Sequence, residues 1–234
     1  VENDKFDSNN FKLAKKSLSD LYDTEKDNKD RYAYLKAYEM IDPEYLRYPT
    51  IGYKECLDDL NEENMYEYYK EFLKSSNVNI FVFGNFDNDK VLNIINDRVK
   101  GKFSKNENKY RHNNFDLERE VKEKIEQDKN NQSKLVMLFK LSDITNRERN
   151  VILPLFNRIF GLGSDSKLFK NVREKKSLAY VIRSNISRED NVLSVFAGIN
   201  GESKDDVVNA TKEELENMQN GEITDDEFNN AIIS

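Results

Sequence analysis

The sequence has few of the residues from which most catalytic and metal centres are built. Among its 234 residues there is one cysteine, Cys56, and one histidine, His112. A single cysteine excludes an internal disulfide and a zinc site made of several thiolates, which favours a reducing compartment, so we expect a cytoplasmic location. A single histidine excludes metal sites that need two, including both orders of the zincin helix motif.

The single histidine also limits nucleophilic catalysis. A serine or cysteine hydrolase would need His112 as its base, yet His112 lies in the polar stretch RHNNF, which is typical of a solvated linker. No Gly-x-Ser-x-Gly elbow is present. The sequence therefore predicts no catalytic residue and no metal ligand within this chain.

Long apolar runs are missing too. The longest, LVMLF at 135–139 and VILPLF at 151–156, fall far short of the roughly 18 residues that cross a bilayer. The chain carries 44 acidic and 37 basic residues, and its net charge of −7 repels a phosphate backbone. We therefore expect neither a membrane nor nucleic acid as a partner.

The sequence does contain enough bulky apolar groups, 14 Phe and 12 Tyr, to form a real core. It starts at Val1 without a methionine and stops at Ser234 inside a helical pattern, so we expect a piece of a longer chain, and removal of a signal segment stays open. Apolar residues at helical spacing and capping residues predict helices over 11–22, 34–38, 61–75, 91–99, 145–159, 164–175 and 203–221, and one from 224.

Short apolar runs between these helices predict strands at 79–85, 134–141, 178–186 and 191–199, and the last two suit an antiparallel hairpin. Residues 100–132 are rich in charge and predict a domain boundary near Arg111. The pattern indicates an α+β fold in which helices pack on one face of mixed or antiparallel sheets.

Two polar motifs carry little information about function. GLGSDSK at 161–167 lacks the Walker spacing of a phosphate loop. Its glycines are better interpreted as ending one helix and allowing the next one to begin. NFDNDK at 85–90 lacks the glycine and the distal glutamate of a calcium loop and is better interpreted as a helix cap.

The strongest functional pattern is LFKNVREKKSLAYVIRS at 168–184. Here Arg173 leaves a predicted helix and Tyr180 enters a predicted strand. A guanidinium fork and a phenol hydroxyl at one end of a sheet suit a peptide carbonyl or a carboxylate, which predicts a binding pair without a nucleophile. The structural alternative is that Arg173 solvates a helix end and Tyr180 fills a sheet face.

This stretch resembles the motif LF-x-x-VREK-x-x-LAY of the pitrilysin/insulinase family of zinc metallopeptidases, the inverzincins. Residues 48–87 resemble the end of that family's first α/β domain, and QSKLVMLFKL at 132–141 resembles the start of its second. The resemblance implies a metallohydrolase fold like that of the mitochondrial processing peptidase. It also implies that residues 1–111 hold the C-terminal part of a first peptidase-like domain plus a linker, and 112–234 the N-terminal part of a second.

The resemblance further implies a role for the pair. Two similar halves of such enzymes close around a peptide, one bearing zinc on His-x-x-Glu-His and the other an Arg and a Tyr seven residues apart, which Arg173 and Tyr180 match. This chain has no zinc motif, and DNKDRYAYLKAYEM at 27–40 resembles the bacterial non-catalytic subunits. We therefore expect a substrate-binding subunit of a heterodimer, with peptide as substrate and zinc in the homologous partner.

Two other functions remain open at this point. One is a structural homologue that kept the fold without peptidase activity. The other is that this chain is the zinc-lacking piece of a protein that is itself an active metallopeptidase, which residues upstream of Val1 would decide.

Overall fold

The chain divides into two compact units in the computed structural model. The first contains residues 1–23 and 51–111, and the second contains residues 24–50 and 112–234. The structure describes residues 5–25, 27–41, 44–76, 78–99, 121–129 and 132–233. The predicted boundary between Arg111 and His112 therefore lies outside the described residues, as does His112 itself.

The helices occur where apolar residues repeat at helical spacing. In chain order they are α1 (Ser8–Glu25), α2 (Lys29–Tyr38), α3 (Glu62–Ser75), α4 (Asn88–Val99), α5 (Leu153–Phe160), α6 (Lys204–Gln219) and α7 (Asp225–Ile233). Short 3₁₀ turns occupy Glu44–Arg47, Lys54–Leu57 and Gly201–Ser203, and π-helical segments occupy Glu148–Ile152 and Leu168–Lys175. Within the described ranges, no helix is long and apolar enough to cross a membrane.

The second unit is organised by one antiparallel sheet. Its strands are β1 (Ser133–Lys140), β2 (Val181–Ser187) and β3 (Val192–Ile199), in the order β1-β3-β2. The predicted hairpin is confirmed, because Val181 pairs with Gly198 and Ser187 with Val192. With its helices, this sheet confirms the α+β class.

The central strand β3 buries both of its faces. Leu193, Val195, Ala197 and Ile199 join a core with residues of α5, α6 and the segment Leu168–Lys175. On the opposite face, Tyr34 of α2 stacks on the fully buried Phe196 ring with 5.7 Å between centroids. The prediction that helices cover only one face was therefore wrong.

The packing of α2 explains why residues 24–50 group with the second compact unit. Tyr38 and Ile41 pack around the fully buried Val192 of β3. Burial there, aided by the Asp190 charge, raises the pKa of the Tyr38 phenol to about 12. The contacts that decide this grouping are long-range in sequence, so helical periodicity alone could not predict it.

The capping residues predicted from the sequence are confirmed. The Asn61 side chain accepts hydrogen bonds from the amides of Glu63 and Asn64 at 3.0 and 2.9 Å. At the start of the segment that leads into α5, the Thr145 amide donates to Glu148 at 2.8 Å and the Glu148 amide to the Thr145 hydroxyl at 3.3 Å. These bonds satisfy amides that have no partner inside a helix, so short polar motifs fix where the helices begin.

Two local predictions were wrong. Residues 79–85 do not form a strand, because no described segment of the first unit offers a neighbouring strand to pair with. The helix predicted to start at a Ser164 cap instead begins at Leu168, as a π-helix whose first residues receive no side-chain cap. Ser166 closes a turn before this helix, because its hydroxyl donates a hydrogen bond to the Gly163 carbonyl at 2.7 Å.

The start of α7 gives a pH-dependent test of capping. Burial acts to raise the pKa of the Glu227 carboxyl, but hydrogen bonds from the Thr224 amide and the Lys167 ammonium outweigh it and lower the pKa below its ordinary value. Glu227 thus stabilises the fold above its unfolded-state pKa of about 4.5, and this contribution is lost as the pH falls through the lower folded pKa.

We expect Glu227→Gln to lower the free energy of unfolding at pH 7 by about 1 kcal/mol, because a charged cap and a partly buried ion pair are lost. The difference from wild type should shrink as the pH falls below about 4.5 and through the lower folded-state pKa. Urea unfolding at a series of pH values measures both effects. The control is Glu222→Gln at an exposed position of the loop before α7, and a deficit that did not vary with pH would contradict the assignment.

Candidate functional site

The π-helix Leu168–Lys175 presents Arg173 to solvent. Leu168 and Val172 are fully buried in the core, whereas Arg173 is exposed. The wide turn shows in the hydrogen bond from the Lys176 amide to the Asn171 carbonyl five residues back, at 3.2 Å. The Arg173 guanidinium carbon lies 4.4 Å from the centroid of the Phe169 ring. A cation–π contact of this kind holds the guanidinium against the helix while leaving its donors available.

The junction after this helix is conformationally strained. Ser177 adopts φ 51°, in the left-handed region that non-glycine residues rarely enter. The turn is closed by the Leu178 amide, which donates to the Val172 carbonyl at 3.0 Å. Strained residues and π-turns are both enriched at functional sites, which makes this junction a candidate. The same two features also occur at Asp143, at Asn191 and in Glu148–Ile152.

The backbone of Tyr180 is held by a hydrogen bond, whereas its ring is exposed to solvent. Its amide donates to the Gly198 carbonyl of β3 at 2.9 Å, and the preceding Ala179 is buried in the core. The Tyr180 side chain is nevertheless 63% exposed. Gly198 is needed here, because a Cβ at this position would lie 2.9 Å from Val181 Cγ1 and 3.3 Å from the Gln132 amide group. The phenol is therefore presented from the sheet without being part of the core.

Both predicted site residues keep their polar groups available. Across the described ranges, neither the Arg173 guanidinium nor the Tyr180 hydroxyl has a hydrogen-bond or ion-pair partner. The structural alternative for Tyr180, a ring filling a sheet face, does not fit its exposure. That the two side chains face a common hollow stays a prediction.

Ion pairs hold the segment around the motif. Lys167, directly before the π-helix, is buried and its ammonium lies 3.1 Å from the Glu227 carboxylate of α7. After the helix, Lys176 reaches Glu213 of α6 at 2.5 Å. These residues lie on both sides of Arg173, so the helix is tied to α6 and α7 at its two ends.

Sequence reasoning missed several of these supporting residues. Ser177 stands between a predicted helix and a predicted strand, and that position was a usable signal of an unusual turn. Lys167 and Gly198 gave no signal, because their importance comes from groups distant in sequence. The same holds for Arg149, which is buried and donates to the Arg188 carbonyl and the Asn191 side chain, thereby bracing the β2–β3 turn.

The chemistry available at this site is donation of hydrogen bonds. Arg173 offers a planar fork of donors and Tyr180 a hydroxyl, which together suit a carbonyl oxygen or a carboxylate. Within the part of the chain that the structure describes, no group of three His, Cys, Asp or Glu side chains is placed to hold a metal ion. The exposed Cys56 lies in the first unit, away from this motif in sequence.

The strain at Ser177 gives a test of the junction. We expect Ser177→Gly to raise the free energy of unfolding, or leave it unchanged, because glycine adopts φ 51° without the penalty of about 1 kcal/mol that a Cβ brings. Ser177→Val should lower it by about 1–2 kcal/mol, since a β-branched side chain fits this region poorly.

Urea unfolding followed by circular dichroism measures both Ser177 variants. The matched control is Ser133→Val at the exposed first residue of β1, where a β-branched residue suits the strand and no loss from backbone strain is expected. Equal stability of the glycine and valine variants at position 177 would contradict a left-handed serine.

Comparison with known proteins places these features in a family context. A family model described as "Peptidase M16 inactive domain" matches residues 59–234, which include Arg173 and Tyr180. A solved structure, that of a conserved protein from Enterococcus faecalis V583, superposes with a TM-score of 0.88 at 26% identity and covers 99% of this chain and 55% of that one.

Two curated relatives have names that refer to metalloproteases or zinc proteases. The "Probable inactive metalloprotease YmfF" of Bacillus subtilis is 29% identical over 97% of this chain and 54% of its own length. The "Uncharacterized zinc protease YmxG" of the same species is 28% identical over 80% of this chain and 45% of its own length. The chain thus spans about half the length of the curated relatives it matches.

Proposed function

The chain belongs to the Peptidase M16 inactive domain family, and on that premise we propose that it is part of a non-catalytic subunit that binds peptide substrates for a zinc-bearing homologous subunit. Arg173 and Tyr180 contact the peptide backbone near the scissile carbonyl, and zinc is held by the partner. Residues 1–111 contribute the C-terminal part of a first peptidase-like domain and 112–234 the N-terminal part of a second. The heterodimer acts in the cytoplasm.

The observation that carries this proposal is that Arg173 and Tyr180 have polar side-chain groups without partners on a backbone that is held in place. The Arg173 and Tyr180 polar groups have no partner within the described residues, while the backbone on both sides is tied to the core and to β3. Donors that are positioned in advance bind a developing oxyanion without reorganising, which is how such groups favour a transition state.

The resemblance of the motif to the family's own supports a peptide-binding role for Arg173 and Tyr180. Its Arg and Tyr match the family's binding pair in type and spacing, and the family model spans both. The relative named a probable inactive metalloprotease is consistent with a subunit that does not itself cleave peptide.

The direct test reconstitutes activity. The protein is mixed with a homologous subunit that carries His-x-x-Glu-His, and cleavage of fluorogenic peptides is followed with zinc and with a chelator. We expect turnover only when both subunits and zinc are present. Equal turnover by the partner alone would overturn the proposal of a shared site.

A structural role is the second candidate, favoured by the word "inactive" in the names of the family and of one relative. It predicts a stable complex with the partner subunit but no measurable peptide binding. Fluorescence anisotropy with labelled casein peptides separates the two functions, because only the substrate-binding subunit should retain peptide in the absence of turnover.

A further inference from the structure

An open groove of about 460 Å³ lies beside the candidate site, within the second unit. One wall of the groove is the segment between Arg173 and Tyr180, at Lys176 and Leu178. The other wall is one face of α6, whose lining residues recur every three or four positions: Asp206, Asn209, Ala210 and Glu213. Both walls pack on the same hydrophobic core, which holds them at a fixed separation.

The groove is within reach of a peptide that contacts Arg173 and Tyr180. Leu178 precedes Tyr180 by two residues, and two residues of chain span at most about 7 Å. Lys176 follows Arg173 by three residues, which span at most about 11 Å. An extended peptide advances about 3.3 Å per residue. A peptide residue up to about three positions away from the one that the pair contacts therefore reaches the groove.

The side chains of the groove combine a negative charge with apolar contact area. Lys176 and Glu213 neutralise each other, because the ammonium nitrogen lies 2.5 Å from the carboxylate. The Asp206 carboxylate is left over, since it has no hydrogen-bond or ion-pair partner in the described part of the chain. Half-buried Leu178 and buried Ala210 supply the apolar area. A cationic group carried on carbon atoms would find a partner for both of its parts here.

We propose that this groove is a subsite for a positively charged group of the peptide, either a Lys or Arg side chain or the N-terminal ammonium. Asp206 accepts hydrogen bonds from the cation, and Leu178 and Ala210 contact the carbon atoms next to it. This inference rests on the proposed function and adds a substrate class to it. The preferred peptides carry a cation up to about three residues from the position that Arg173 and Tyr180 contact.

The alternative is that Asp206 serves only the helix. Asp205 and Asp206 both lie in the first turn of α6, where a carboxylate complements the helix dipole. Asp205 differs in that it pairs with Lys204 at 3.2 Å and does not line the groove. Asparagine at either position should affect the helix alike, whereas only Asp206→Asn should alter the choice of peptide. Asp205→Asn is therefore the matched control.

The test measures peptide affinity instead of turnover. The protein is assembled with a catalytically inactive variant of the zinc-bearing homologous subunit, and fluorescence anisotropy gives Kd for peptides labelled at the C-terminus. One series of peptides carries a single lysine at successive positions, a second has norleucine in its place, and a third has lysine and an acetylated N-terminus. We expect the best lysine peptide to bind about fivefold more tightly than its neutral counterpart, as one exposed ion pair allows. A loss with norleucine assigns the groove to a side chain, and a loss with acetylation assigns it to the N-terminus.

Three variants separate the subsite from its surroundings. Asp206→Asn should abolish the preference for the cation, and Asp205→Asn should leave it unchanged. Lys176→Met should increase it, because the competing cation is removed and the Glu213 carboxylate is released. Equal Kd values for all three series, or the same loss in both asparagine variants, would overturn the subsite while the proposed function stands. Failure of every peptide to bind would overturn both.

Discussion

Replacing Arg173 with alanine is expected to lower kcat/KM for peptide cleavage about 100-fold or more in the complex with a zinc-bearing subunit. The guanidinium has no partner within the described residues, so its donors are available to an oxygen that gains charge in the transition state. The loss should be mainly in kcat, because a donor aimed at the transition state contributes less to ground-state binding.

The fold should tolerate this change. Arg173 is exposed and its described contact is with the Phe169 ring, a contact worth about 0.5–1 kcal/mol at a surface. Arg173→Lys keeps the charge but not the planar fork, so we expect an intermediate rate. Tyr180→Phe, which removes one hydroxyl, should cost about tenfold.

The matched control is Arg147→Ala, at another exposed arginine of the second unit. Its turnover should equal that of wild type. If Arg173→Ala and Arg147→Ala had the same kcat in a correctly assembled complex, the role assigned to Arg173 would be wrong, whether or not the subunit binds peptide by other residues.

The second large effect concerns stability. Gly161→Ala is expected to lower the free energy of unfolding by about 1–3 kcal/mol, the range typical of overpacking. A Cβ at this position would lie 2.8 Å from Leu168 Cδ1 and from Ser184 Cβ, and closer still to the Ser184 hydroxyl. Neither neighbour can move easily, because both are buried and the Ser184 hydroxyl donates to Asn157 at 2.6 Å.

The position of Gly161 connects this effect to the site. Its carbonyl accepts a hydrogen bond from the Ser184 amide at 3.0 Å, which joins the end of α5 to β2. Pushing these elements apart therefore disturbs the strand that follows Tyr180 and the first residue of the π-helix. The alanine variant should show faster amide exchange in Val181–Ser187 as well as a lower urea midpoint.

Gly201→Ala provides the control for that substitution. The nearest group to its added Cβ is the Ser133 hydroxyl at 3.1 Å, and a serine side chain can rotate away. We expect a change within about 0.5 kcal/mol. Equal losses at positions 161 and 201 would show that the contact distances do not control the effect. Circular dichroism is the suitable probe, because the chain has no tryptophan.

The elements that the sequence predicted correctly are those with local signals. The Thr145–Glu148 and Thr224–Glu227 boxes define helix starts through groups three residues apart, and the hairpin of β2 and β3 follows from two apolar runs separated by polar residues. Such signals depend on neighbours in sequence, so tertiary packing confirms them without altering them.

What the sequence could not predict depends on distant groups. Tyr34 stacks on Phe196 from the far face of the sheet, and no local pattern links the two residues. The π-helical turn was not predictable either, because Leu168 and Val172 have the spacing of an ordinary α-helical core stripe. For the candidate site, residue types and spacing identified Arg173 and Tyr180, but not the lysine and glycine that hold their backbone.

The wide turn of Leu168–Lys175 makes this segment sensitive to a change in chain length. A π-type hydrogen bond spans one residue more than an α-helical one does, so deleting a single residue such as the half-buried Lys170 would restore ordinary helical winding. Leu168 and Val172 could not then both stay buried with the Arg173 guanidinium still in its present orientation. Insertions and deletions, rather than substitutions, are therefore the changes to which the Arg-to-Tyr spacing is most vulnerable.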